Sequence, residues 1–238
     1  LTKQLSKSSW VNLVIKKISK KTITVRTNNS QGNFNDFIDD CYTQQSETNQ
    51  FSVIKERELK NLGVPSINSE MYTVAGKYEK GLITTEQLLQ SFNIMFPNIS
   101  KNEFSHAWNS IILDFPEHRL EFIQHLSKEK KYKLILLSNT NELHIQQVVK
   151  NMSLTNYKRF KNCFNKFYLS HEINLSKPNL DIYKFVLNEN NLTAEECFFI
   201  DDTKENTDAA SSLDINVWNN NPETEDIVDL FTINKDLF

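Results

Sequence analysis

The feature that most constrains this chain is the regular exchange of short apolar runs and helical patterns from residue 116 onward. Lys133-Leu-Ile-Leu-Leu137, Phe167-Tyr-Leu169, Cys197-Phe-Phe-Ile200 and Ile215-Asn-Val-Trp218 are runs of the kind buried on both faces of a parallel sheet. Helical spacings fall between them. Pro116-Glu117 opens one, with Pro suited to the first helical position and Leu120, Ile123 and Leu126 on one face. Others run from Asn141 to Met152, from Lys177-Pro178 through Leu180, Tyr183 and Leu187, and from Asn206 to Leu213. This alternation predicts a doubly wound, Rossmann-like parallel α/β sheet.

Residues 51–115 are patterned differently. A helical stretch from Phe51 to Leu62 stops at Gly63. Thr84-Thr-Glu-Gln87 and Ser100-Lys-Asn-Glu103 read as capping boxes ahead of two apolar sets, Leu88, Leu89 and Phe92, then Phe104, Trp108 and Ile111. A helical bundle ahead of the second half of an α/β sheet suggests an inserted α-helical cap. Residues 1–50 are weakly patterned, although the first core strand is expected there. Lys21-Thr-Ile-Thr-Val25 has strand composition, but 28–35 is polar and 41–50 nearly lacks apolar residues. The expected division is therefore 1–50, 51–115 and 116–238.

Composition narrows the function classes. With 27 Lys+Arg against 30 Asp+Glu and a net charge of −3, nothing draws the chain generally to nucleic acid or an anionic membrane. No apolar run approaches the roughly 18 residues of a membrane span. The opening Leu-Thr-Lys-Gln-Leu-Ser-Lys has neither an apolar core nor a small-residue cleavage site, so no signal peptide is expected. Cys41, Cys163 and Cys197 form no CxxC pair, which fits a reducing cytoplasm. The five histidines show no metal-binding spacing and are expected at the surface or the core edge. Four glycines exclude a glycine-rich phosphate loop, so any phosphate must be held by side chains and helix ends. The sequence sets no oligomeric state.

Three clusters sit just past the ends of expected parallel strands, the edge at which open α/β sheets bind ligands. Ser138-Asn139-Thr140 can hydrogen-bond an anion, or simply cap the next helix. Ser176-Lys177-Pro178 offers a compact cation, or an ordinary lysine before a helix. Asp201-Asp202-Thr203 places two carboxylates after a buried run, where unpaired charge is costly and a hard cation such as Mg²⁺ would relieve it. The plain alternative is a turn-forming Asp helped by Asn206.

A serine at one strand end, a lysine 39 residues later and an Asp pair 24 further on resemble motifs II, III and IV of the haloacid dehalogenase (HAD) superfamily. The stretches Leu134-Ile-Leu-Leu-Ser-Asn-Thr, Ser170-His-Glu-Ile-Asn-Leu-Ser-Lys-Pro and Phe199-Ile-Asp-Asp-Thr-Lys-Glu-Asn look like its glucose-1-phosphatase-like branch. The resemblance covers about residues 51–238. It implies a Mg²⁺-dependent phosphatase of a small phosphorylated metabolite, sugar phosphate-like, working through an aspartyl-phosphate. By the same resemblance Ser138 and Asn139 hold the phosphoryl group and Lys177 offsets its charge. Asp201 and Asp202 serve the metal, and a motif I aspartate is both nucleophile and ligand. The nearest match to motif I is Phe37-Ile38-Asp39-Asp40-Cys41-Tyr42-Thr43, in which Asp39 has Thr43 at the right offset while Cys41 replaces the usual acid or glycine. Asp36 and Asp40 compete for the role. The alternative reading is a non-catalytic HAD-like domain that keeps the pocket and lacks the nucleophile.

Overall fold

The structure, a computed structural model, describes residues 13–17 and 53–238. Its order is β1 (Leu13–Lys17), α1 (Val53–Asn61), α2 (Ser69–Glu79), α3 (Thr85–Met95), α4 (Lys101–Asn109), α5 (Glu117–Glu129), β2 (Tyr132–Ser138), α6 (Glu142–Met152), α7 (Leu154–Lys161), β3 (Lys166–Leu169), α8 (Ser170–Ile173), α9 (Leu180–Asn190), β4 (Cys197–Asp201), α10 (Lys204–Ser211), β5 (Asn216–Asn219) and α11 (Leu230–Ile233). The sheet runs β3-β2-β1-β4-β5. The α/β class expected from the alternation is the one observed.

One feature of the sheet departs from the expected all-parallel form. β2 pairs with β3 in parallel from Ile135↔Lys166 to Ser138↔Leu169, and β4 with β5 from Phe198↔Asn216 to Asp201↔Asn219. The central β1 runs antiparallel to both neighbours, with Leu13 opposite Leu136 and Ile200. Leu13-Val14-Ile15 is apolar enough for a central place, but an apolar tripeptide carries no sign of its direction, since backbone groups pair in either sense. The Thr22–Val25 candidate lies outside the described residues.

Side chains alternate across the sheet as the pleat requires. Ile135, Leu137, Cys197 and Phe199 pack on Ile182, Tyr183 and Val186 of α9 and on Ala209 and Ala210 of α10. On the other face Leu136 meets Leu120, Ile123 and Val148, and Leu134, Phe198 and Ile200 meet Leu126 and Leu230. Helices therefore cover both faces. Asp214 adopts φ 63° at the turn into β5, a conformation Asp tolerates better than most residues.

Helices α1–α4 build their own core from Leu59, Met71, Ala75, Leu88, Phe92, Phe104 and Trp108. Both expected capping boxes form, at Thr84/Gln87 and Ser100/Glu103. Thr193-Ala-Glu-Glu196 also has capping-box spacing, but it makes no side-chain cap and precedes only the 3₁₀ turn Ala194–Glu196. Leu143 of α6 enters the α1–α4 core, and polar contacts reinforce that junction. The Leu143 N–H donates to the Tyr78 hydroxyl at 3.1 Å, and Thr85 bonds Glu142. Gly81 (φ 65°) lies so close to residue 171 that a Cβ would fall 2.0 Å from the His171 carbonyl oxygen. Only glycine satisfies both the turn and the approach.

A closed ring of hydrogen bonds completes the junction. Asn141 caps α6 by accepting the His144 N–H at 3.1 Å, and the same Oδ1 accepts Trp108 Nε1–H at 3.4 Å. Its amide donates to His144 Nδ1 at 3.1 Å, leaving His144 Nε2–H to donate to the Trp108 carbonyl at 3.3 Å. His144 is thus fully buried rather than at the core edge, and the ring works only with a neutral imidazole. Lys55, also fully buried, holds its ammonium 3.8 Å from the Trp108 ring centre. Burial, then the Lys55 charge, hold His144 well below its ordinary value. The unfolded chain takes up a proton near pH 6.5, whereas folded His144 resists it. Its contribution to stability is therefore complete above about pH 6.5 and is lost as the pH falls below it. Urea unfolding between pH 7 and 5 is expected to show this acid-side loss, approaching about 1.4 kcal/mol per pH unit, and His144→Gln should flatten the profile relative to wild type.

Candidate active site

The four parallel strands end on one edge, and the residues at and just past those ends define the site. Ser138 is the last residue of β2, Asp201 the last of β4, and Lys177 sits on the loop between α8 and α9. The structure brings all three together. Lys177 Nζ donates to Asp201 Oδ2 at 2.7 Å and to the Leu137 carbonyl, one residue before Ser138, at 3.0 Å. Its ammonium also lies 5.4 Å from the Phe199 ring centre. The lysine and aspartate side chains are 1% and 0% exposed, so the ion pair is fully desolvated.

A buried carboxylate must be satisfied on all sides. Asp201 Oδ1 accepts from the Thr203 N–H at 2.9 Å and from the Asn206 amide at 3.1 Å. Oδ2 accepts from the same amide at 3.1 Å and from Lys177. Asn206 is steadied in turn by Tyr183, whose hydroxyl donates to its carbonyl at 2.7 Å. The Asp201 backbone oxygen takes the Asn220 N–H at 3.1 Å and the Asn219 amide at 3.2 Å, tying β5 to the same corner. Asp201 therefore does two jobs: it shapes the turn into α10, as the plain alternative held, and it anchors the buried charge pair.

Asn139 engages the lysine segment on both sides. Its Oδ1 accepts the Lys177 N–H at 2.9 Å and its amide donates to the Lys177 carbonyl at 2.8 Å. In this arrangement Asn139 positions Lys177. Ser138 is buried at the strand end, and α6 is capped by Asn141 rather than by the Ser138–Thr140 segment itself. Asp202 follows Asp201 at the rim of the edge and is partly exposed. Asp39, with Asp36 and Asp40, lies outside the described residues, and β1 (Leu-Val-Ile-Lys-Lys) contains no acid.

Adjacent carboxylates at a strand end suit a hard divalent cation in donor type. Among the described residues no group of three His, Cys, Asp or Glu side chains is placed to hold one. Each Asp201 oxygen already accepts two hydrogen bonds, so a cation would take the place of one donor. The donor set fits in kind, and its completion calls for an acid from outside the described residues. The sequence places Thr203 beside the Asp pair, Asn141 at a helix start and Ser170 at the head of the lysine stretch, but assigns none of them a role in the site. It names Asn206 only as a turn helper. Asn141 and Ser170 find partners 33 to 91 positions away, whereas Thr203 and Asn206 act locally on Asp201, which is buried by the fold.

A family model of haloacid dehalogenase-like hydrolases matches residues 33–219, from ahead of Asp36 to the last residue of β5. The chain belongs to that family. A HAD family enzyme of Bacteroides thetaiotaomicron, solved as a magnesium complex, is 31% identical with a TM-score of 0.66, over 75% of this chain and 89% of that one. The same enzyme with magnesium and inorganic phosphate gives 31% identity and a TM-score of 0.65, over 75% and 90%. The D-ribitol-5-phosphate phosphatase of Bacteroides thetaiotaomicron is 23% identical over 136 residues, 57% of this chain and 65% of that protein. The chain thus spans slightly less than two thirds of this curated relative. A HAD-like family hydrolase of Porphyromonas gingivalis, 19% identical, shares the fold at a TM-score of 0.58, over 80% of this chain and 89% of that one. Among the described residues no helix is long and apolar enough to cross a membrane.

The buried pair sets a stability test. Lys177→Met leaves Asp201 charged, buried and short of its cation, and should cost about 3–5 kcal/mol. Adding Asp201→Asn removes the stranded charge, so the double variant should cost much less than the sum of the two single ones. Urea unfolding of the four proteins measures this, and additive losses would contradict the pair.

Proposed function

We propose that the chain is a Mg²⁺-dependent phosphomonoesterase of a small phosphorylated metabolite, with a sugar or sugar-alcohol phosphate as the substrate class. The observation that carries this reading is the Lys177 ammonium, held between the Leu137 carbonyl and Asp201 at the edge where Ser138 ends its strand. Under this reading three segments far apart in sequence contribute the hydroxyl of Ser138, the cation of Lys177 and the carboxylate of Asp201. The relatives support the reading: one is a D-ribitol-5-phosphate phosphatase, and another was solved with magnesium and inorganic phosphate.

Under this reading Asp201 holds the cation, Asp202 takes part through water or by orienting it, and Asp39 adds a further oxygen. Bound Mg²⁺ would screen the charge of the phosphoryl oxygens. The protein's own groups do the rest. Asp39 attacks phosphorus as the P–O ester bond breaks, the leaving oxygen takes a proton from water to become the alcohol, and water then hydrolyses the aspartyl-phosphate to inorganic phosphate and free Asp39. The Ser138 hydroxyl donates to a phosphoryl oxygen. Two of the three Lys177 ammonium protons are engaged by Leu137 and Asp201, and the third serves the phosphate. Asn139 keeps Lys177 in place. Helices α1–α4 act as the cap, walling the site and contacting the leaving group. Residues 1–50 supply the nucleophile, and the working compartment is the cytoplasm.

A panel of phosphate monoesters assayed with Mg²⁺ tests this. Slow turnover is expected, because Cys41 stands where the family's motif I carries an acid or glycine. It should be lost on chelation and fall more than about a thousandfold in Asp39→Asn. Turnover retained in Asp39→Asn would remove Asp39 as the nucleophile. Turnover unaffected by chelation would remove the metal.

A further inference from the structure

Ser170, the first residue of α8, is fully buried, and its hydroxyl touches two other pieces of the chain. Its Oγ lies 2.9 Å from the Thr140 N–H, 2.9 Å from the Thr140 carbonyl and 2.7 Å from the Glu79 carbonyl at the end of α2. A hydroxyl has one proton to give, and here it faces two carbonyls. His171 resolves the excess, because its Nδ1 lies 3.1 Å from the Thr140 carbonyl and can donate there. The proton of Ser170 is then committed to Glu79, while its lone pair receives the Thr140 N–H. A continuous chain results, from the Thr140 N–H through the Ser170 hydroxyl to the Glu79 carbonyl. Each bond in such a chain polarises the next.

The neighbours of this chain give it a purpose. Thr140 closes the Ser138-Asn139-Thr140 segment, and Asn139 grips the backbone of Lys177. Glu79 opens the turn that brings Gly81 against His171, and Asn174 donates to the Lys80 carbonyl at 2.8 Å. The Ser170 hydroxyl is thus where the strand-end segment and the α2–α3 turn of the helical unit are bonded to one atom.

We propose that Ser170 is a positioning residue of the phosphate site: its hydroxyl fixes the Ser138–Thr140 segment against the helical unit, so that Ser138 is pre-set to receive the phosphoryl group. This inference rests on the reading that the sheet edge binds phosphate. Removing the hydroxyl unhooks the Thr140 amide, and the segment must then be ordered by the ligand at a cost in affinity.

The experiment titrates inorganic phosphate, in the presence of Mg²⁺, into wild type, Ser170→Ala and Asn174→Ala by calorimetry, with urea unfolding of each protein. Ser170→Ala is expected to weaken phosphate about tenfold, the effect of one hydrogen-bonded contact. Asn174→Ala loosens the same junction without touching Thr140, and should lower stability while leaving phosphate affinity unchanged. Equal affinity in Ser170→Ala and wild type, or equal loss in both variants, overturns the positioning role and leaves the phosphate site standing. No phosphate binding to wild type removes both. Hydrogen exchange on the intact chain tests the same point should Ser170→Ala not fold. The Thr140 amide is expected to be protected without ligand and more so with phosphate, and exchange at the rate of an open loop overturns the proposal.

Discussion

The ion pair between Lys177 and Asp201 is the constraint around which the sheet edge is organised. Two opposite charges with almost no solvent contact are tolerated only if every remaining proton and lone pair is satisfied. That requirement accounts for much of the local architecture. Leu137, one residue before its strand ends, must turn its carbonyl to the lysine, and Asn206 must present its amide to both carboxylate oxygens. Tyr183 must hold Asn206, and Asn139 must grip the lysine backbone on both sides. Parallel strands make this economical, because β2 and β4 deliver their last residues to one edge while β1 lies between them.

The helical unit is joined to that edge by polar contacts as well as by apolar burial. Tyr78 receives the Leu143 amide, Asn141 and His144 close a ring with Trp108, and Gly81 lets two backbones meet. These contacts converge on residues 140–144 and 170–174, the segments that come after β2 and β3.

Much of this was legible in the sequence. The strand runs at 133–137, 167–169 and 197–200 are short, apolar and bounded by turns, so period and length alone identify them. The capping boxes at Thr84 and Ser100 are local chemistry, and local chemistry survives folding. Ser138, Lys177 and Asp201 could be named because each follows a strand, and parallel strands share an edge. The direction of β1 was not legible, since pairing sense lies in the partner strands rather than in Leu-Val-Ile. Nor were the ring of Asn141, His144 and Trp108 and the clamp at Ser170. Polar residues read one at a time look like surface or caps, and their burial is decided by groups 30 to 91 positions away. Asp39, the expected nucleophile, lies outside the described residues, so its role rests on the family motif.

The central claim is that the edge formed by Ser138, Lys177 and Asp201 is a working cation and phosphate site. Calorimetric titration of Mg²⁺ into wild type, Asp202→Asn and Asp201→Asn tests it most directly. The account predicts measurable binding to wild type, weaker binding to Asp202→Asn and a loss of more than about tenfold in Asp201→Asn, one missing charged ligand. Mg²⁺ binding that is unchanged in a folded Asp201→Asn protein would contradict it.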